Sequence, residues 1–141
     1  MDPGGSESAE VWAFDLDGTL IGSVRSDVLR PHAVTLLHEL ARREVTCVLW
    51  SAGGSAYARR HAIAHGIETS FAAFYGKVER DDHRRYVTDH FAPAHLPLIF
   101  VDDAPQDIPL GATVIAVPQF IGGNPADSAL VPLIDGLRAR S

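Results

Sequence analysis

The run Val11-Trp-Ala-Phe-Asp15-Leu-Asp17-Gly18-Thr19-Leu20 constrains this chain more than any other. Val11 to Phe14 is short, apolar and bounded by polar residues, the pattern of a buried strand. Two carboxylates follow, one residue apart. Gly18 then permits a sharp turn, and Thr19 supplies a hydroxyl. A strand that ends in Asp-x-Asp-Gly puts negative charge at its C-terminal end, where open α/β sheets bind ligands. Such a pair can hold a hard cation such as Mg²⁺ through oxygen ligands. It can also divide labour, one carboxylate attacking as nucleophile while the other moves protons. The same residues would equally make a plain polar turn, so the reading depends on partners further along.

The chain supplies them in order. Strands are expected over residues 10–16, Val45 to Trp50, Phe71 to Tyr75, Pro97 to Val101 and Thr113 to Val117. Pro31 is expected to open a helix in which Val34, Leu37, Leu40 and Ala41 follow helical spacing. A second helix follows the small-residue turn Ser51-Ala-Gly-Gly54 and stops at Gly66, a polar helix spans about 80–90, and Asp127 or Ser128 caps a last helix ending near Arg138. Residues 18–30 read as a surface flap, of which 21–30, with Gly22 and two serines, is expected to be mobile but too short to close over a small ligand. Residues 1–9 read as a disordered tail, and 10–141 as one domain. Strands alternating with helices give an α/β fold. That is a doubly wound, parallel, five-stranded sheet with helices on both faces, hence a three-layer α/β/α sandwich.

In a parallel sheet all strand C-termini share one edge. Asp15 and Asp17, Ser51, Lys77, and Asp102 with Asp103 all fall at such ends and can converge on one crevice. Together they suit a phosphate and a divalent cation. Carboxylates hold the metal, Lys77 neutralises phosphate charge, Ser51 donates a hydrogen bond, and backbone N–H groups at a helix start favour an anion. The other residue types give less. Net charge is −6 at pH 7, which argues against broad sequence-independent binding to nucleic acid. The single cysteine, Cys47, excludes an internal disulfide or a cysteine-based zinc cluster and reads as a small core residue. His61 and His65 sit four apart without an acidic partner and read as a solvated helix face. No apolar run reaches membrane length and no targeting signal opens the chain, so a cytoplasmic location is the expectation.

Over residues 10–118 the chain resembles the haloacid dehalogenase superfamily of phosphohydrolases. The resemblance rests on Asp15-Leu-Asp17-Gly18-Thr19-Leu20, the apolar strand ending in Ser51, Lys77, and Val101-Asp102-Asp103. It implies a Rossmann-like sheet with the first strand central. It makes Asp15 the nucleophile that forms an aspartyl-phosphate, and Asp17 the general acid and then base. It implies Mg²⁺ held by Asp15, the Asp17 backbone carbonyl and Asp103, with Asp102 nearby and Asp103 ranked first of the two. It places the phosphate on Ser51, Lys77 and the backbone N–H groups around Leu16 and Ala52. Asp17 favours phosphoryl transfer over the dehalogenase branch, which typically lacks it. Asp107, four residues after Asp103, reads equally as a residue behind the metal ligands or as a helix-start carboxylate.

Members that process small metabolites often insert a cap domain. Here about a dozen residues separate Leu20 from Pro31, and Ser51 to Lys77 is filled by one helix and one strand, so no cap is expected. The expected enzyme is a Mg²⁺-dependent phosphomonoesterase with an open site. It suits a macromolecular phosphate such as a phosphoprotein or a nucleic-acid end, or a homo-oligomer whose partner covers the crevice, and it involves no membrane. Arg25, Arg30 and His32 border the flap and read as ordinary surface residues. Two other readings stand beside it: a non-catalytic module that binds a phosphate or a partner, and a phosphotransferase.

Overall fold

The computed structural model describes residues 10–76, 97–104 and 113–140. Five parallel strands form one sheet: β1 (Val11–Asp15), β2 (Thr46–Ser51), β3 (Ala73–Gly76), β4 (Leu98–Asp102) and β5 (Thr113–Ala116). Their order across the sheet is β3-β2-β1-β4-β5. The Asp-x-Asp strand is therefore central, and β4, which carries Asp102, lies directly beside it. The expected α/β class and parallel five-stranded sheet are both present. Three α-helices are described: α1 (Ala33–Arg42), α2 (Ser55–Ala64) and α3 (Val131–Ala139). The tail over 1–9, the polar helix over 80–90, Lys77 and Asp107 lie outside the described residues.

Side chains alternate across each strand and so divide the core in two. Trp12, Phe14, Cys47, Leu49, Ile99 and Val101 face one way and pack with buried residues of all three helices. Val11, Ala13, Val48, Trp50 and Phe100 face the other way, with the Trp50 and Phe100 rings edge to face at 5.1 Å. All five residues of β1 are buried, as its near-continuous apolar run requires of a central parallel strand. Cys47 is a core residue, and burial pushes its thiol up to about 12.

Several boundaries differ from expectation. Helix α1 begins at Ala33 rather than Pro31, because His32 sits at φ 72° in the left-handed region and cannot be part of the helix. Its core face is Ala33, Leu36, Leu37 and Leu40, whereas Val34 and Ala41 point outward. Both sets are helically spaced, and periodicity alone does not choose between them. Helix α3 starts at Val131, with Pro132 in its first turn, and neither Asp127 nor Ser128 is its N-cap. A 3₁₀ turn, Glu68–Ser70, takes up the residues before β3. No helix among the described residues is long and apolar enough to cross a membrane.

Candidate active site

Parallel pairing sets the site. Phe14 lies opposite Val101 in the β1–β4 ladder, so the next residues, Asp15 and Asp102, end the two strands side by side. Both follow the same parity as Ala13 and Phe100 and emerge on one face of the sheet. Asp15 is 6% exposed and Asp102 1%. Asp103 continues past the strand, and one carboxylate oxygen from each of the three residues lies within 4.8 Å of the others. Three carboxylates this close repel one another unless a cation lies among them. The donor set is all oxygen, with no His or Cys in the group, which fits a hard divalent cation such as Mg²⁺.

The loop after β1 holds these groups in place. The Leu16 carbonyl accepts from the N–H groups of Thr19, Leu20 and Ile21, which winds the chain into one tight turn. Leu16, Leu20 and Ile21 are fully buried and anchor it. The Thr19 hydroxyl donates to Asp15 Oδ2 at 2.9 Å and lies 3.5 Å from Asp103 Oδ1. Gly18 has φ +84°, and a Cβ there would stand 2.3 Å from Asp103 Oδ2. Only glycine meets both the backbone and the packing requirement.

The Asp17 side chain takes a different direction. Its Oδ1 accepts a 2.9 Å hydrogen bond from the Tyr57 hydroxyl in the first turn of α2. Ser51 ends β2 one residue beyond the Asp15–Trp50 pair, is buried, and its Oγ accepts the Gly53 N–H at 3.1 Å, closing the turn into α2. Ala52 is exposed in that turn. Of the residues expected at the site, Asp15, Asp102 and Asp103 gather in one cluster. Asp17 and Ser51 belong to the same C-terminal edge, and Lys77 is not described.

The segment 18–30 is tethered and residues 18–22 are buried, which corrects its reading as a surface flap. Ile21 bridges Asp17 on one side and Leu29 on the other. The Ser23 N–H donates to Phe120 O, and those of Val24 and Arg25 to Ile121 O. Segments near 22–25 and 119–122 therefore form one wall. Beneath it lies Arg30, which is 1% exposed and not a surface residue. Its Nε and Nη2 donate to the two Asp127 carboxylate oxygens at 2.8 and 3.1 Å, Nη1 to the Gly18 and Thr19 carbonyls, and Nη2 also to Pro118 O. The Phe120 ring covers the guanidinium at 5.3 Å. The hydrogen bond from Arg30 holds the Asp127 carboxyl below its ordinary value, and Asp127 Oδ1 also accepts the Ala129 N–H at 3.2 Å. Arg25 is exposed and paired with Asp27, and His32 is exposed. His61 packs at a tilt against the Tyr57 ring, centroids 4.3 Å apart, and His65 Nε2 meets Ser26 O at 2.8 Å, so neither is merely a solvated helix-face residue.

Two site features were not legible beforehand. Tyr57 leaves only the trace of one aromatic among the small residues that open α2. Arg30 leaves none, since its partners lie up to 97 residues away.

Solved structures share this fold. An uncharacterised protein from Listeria monocytogenes serotype 4b superposes with a TM-score of 0.62 at 13% identity, covering 93% of this chain and 96% of that one. The core domain of a candidate phosphoglycolate phosphatase from Streptococcus pneumoniae TIGR4 gives a TM-score of 0.61 at 16% identity, with 92% and 96% covered. No curated protein matches the sequence significantly. A family described as "Protein of unknown function (DUF705)" matches residues 5–78, more than half of the sequence, and the chain belongs to that family.

Proposed function

We propose that this protein is a Mg²⁺-dependent phosphomonoesterase of the haloacid dehalogenase type, acting through a phosphoryl group on Asp15. One observation carries the reading: a carboxylate oxygen of Asp15, buried at the end of the central strand, lies within 4.8 Å of one from Asp102, which ends the neighbouring strand, and one from Asp103 just past it. The fold shared with the candidate phosphatase of Streptococcus pneumoniae supports it.

Asp15 attacks phosphorus, and the bond from phosphorus to the ester oxygen breaks. Asp17 gives its proton to that leaving oxygen, then takes one from the water that cleaves the aspartyl-phosphate. Thr19 orients the Asp15 carboxylate. Asp15, Asp102, Asp103 and the Asp17 carbonyl would hold Mg²⁺, which when bound withdraws charge from the phosphoryl oxygens. Ser51, Lys77 and the backbone around Leu16 and Ala52 bind the remaining phosphate oxygens. The wall at 22–25 is short, so the substrate itself, a macromolecular phosphate, or the partner in a homo-oligomer excludes water from the crevice.

The test is hydrolysis of an aryl phosphate with Mg²⁺. Turnover is expected, with loss on chelation and in Asp15→Asn. Wild-type turnover in that variant would remove Asp15 as nucleophile. Competing alcohols as acceptors would expose a phosphotransferase by the appearance of new phosphate esters.

A further inference from the structure

We infer that Tyr57 is a positioning residue for proton transfer, holding the Asp17 carboxyl through Oδ1 so that its other oxygen exchanges the proton with the leaving group. The inference rests on the phosphatase reading and adds to it a residue outside the carboxylate set. Among the described residues, four acidic side chains, those of Asp15, Asp17, Asp102 and Asp103, reach this edge of the sheet, and all but Asp17 gather. The fourth, Asp17, is drawn to the Tyr57 hydroxyl, which donates to its Oδ1 at 2.9 Å. Asp17 sits on the loop after β1, and Tyr57 in the helix after β2, 40 residues away. The bond therefore fixes the carboxyl relative to a second element of the sheet edge.

The tyrosine is itself fixed. Its ring lies so close over Gly53 that a Cβ there would be 2.5 Å from Cδ2. On its other contacts it packs against His61 at 4.3 Å, with the Arg60 guanidinium 5.8 Å from the ring centroid. A phenol ordinarily keeps its proton at neutral pH, so the hydroxyl acts as a donor. A general acid acts only when its proton-bearing oxygen stays within reach of the leaving oxygen. A carboxyl rotor fixed at one oxygen meets that requirement, and one free to turn meets it only part of the time.

A purely structural tie between loop and helix would make the same hydrogen bond, and leaving-group chemistry separates the two roles. An alkyl phosphate has a basic leaving oxygen that must be protonated as it departs, whereas an aryl phosphate with an acidic phenol departs without that help. The ratio kcat/KM reports the steps up to formation of the aspartyl-phosphate. In Tyr57→Phe, which keeps the ring, kcat/KM for an alkyl phosphate is expected to fall about 10- to 100-fold and that for a nitrophenyl phosphate by less than about threefold. In an Asp17→Asn background the same substitution is expected to change neither value. Gly53→Ala keeps the hydroxyl but displaces the ring, and should reproduce the selective loss if Tyr57→Phe folds poorly by thermal melting. Equal losses on both esters, no loss on either, or an undiminished effect in the Asp17→Asn background would overturn the role of Tyr57 while leaving the phosphatase intact. A wild-type chain that hydrolyses neither ester would instead overturn the phosphatase reading, and this inference with it.

Discussion

Gly18 shows how tightly one residue couples backbone to site. Its φ of +84° costs a side chain roughly 1–2 kcal/mol. The larger consequence is chemical, because the added methyl would clash with Asp103 Oδ2. Gly18→Ala is expected to fold with a lowered melting temperature and to lose at least about tenfold of Mg²⁺-dependent turnover, since Asp103 must move. Parallel measurement of melting and of activity across a Mg²⁺ titration checks this. An unchanged Mg²⁺ dependence would show that Asp103 is not needed where it stands. Asp15, Asp17, Gly18 and Thr19 were legible in the sequence because all four lie within five residues of one another. Tyr57 and Arg30 were not, because their roles exist only once distant segments meet.

The elements repeat that division. The strands were readable because apolar runs of four to six residues bounded by turns have few alternatives. The core face of α1 was not, because Val34 and Leu36 are equally apolar and only tertiary contact selects between them. Among the described residues, Arg30 and Glu39 each join segments that are far apart in the chain. Arg30 joins the loop after β1 to residues 118 and 127. Arg30→Met would strand the carbonyls of Gly18, Thr19 and Pro118 and the Asp127 carboxylate, with an expected loss of roughly 3–5 kcal/mol in urea unfolding. A loss below about 1 kcal/mol would mean that water replaces the guanidinium. Glu39 in α1 accepts from Arg43, Arg42 and, across to α3, Arg138. These partners, Arg43 foremost, outweigh burial and hold its carboxyl down to about 2 from a usual 4.5. The folded value is the lower one, so the stabilisation is complete above about pH 4.5 and is lost as pH falls through about 2. Glu39→Gln should therefore melt below wild type at neutral pH, with the gap closing through that window. A gap that persisted at the acid end would assign the effect to packing.

For the whole molecule, the site follows from topology. A central first strand with β4 beside it places two sequence-distant Asp pairs at one edge, and only orders that keep β1 beside β4 put Asp15 next to Asp102. Apolar runs and their spacing predicted the strands, and the resemblance predicted that the first of them is central. The tethering of 22–25 to 119–122 could not be foreseen, because it depends on backbone hydrogen bonds that any sequence can make. The central claim is that phosphate passes through Asp15, and it is tested most directly by trapping that state. The protein is mixed with a phosphate monoester and Mg²⁺, quenched in acid within the first turnovers, and digested for mass spectrometry. The account predicts one phosphoryl group on the peptide that contains Asp15, absent after chelation and in Asp15→Asn. Release of phosphate with no such adduct at any quench time, together with retained turnover in Asp15→Asn, would contradict it.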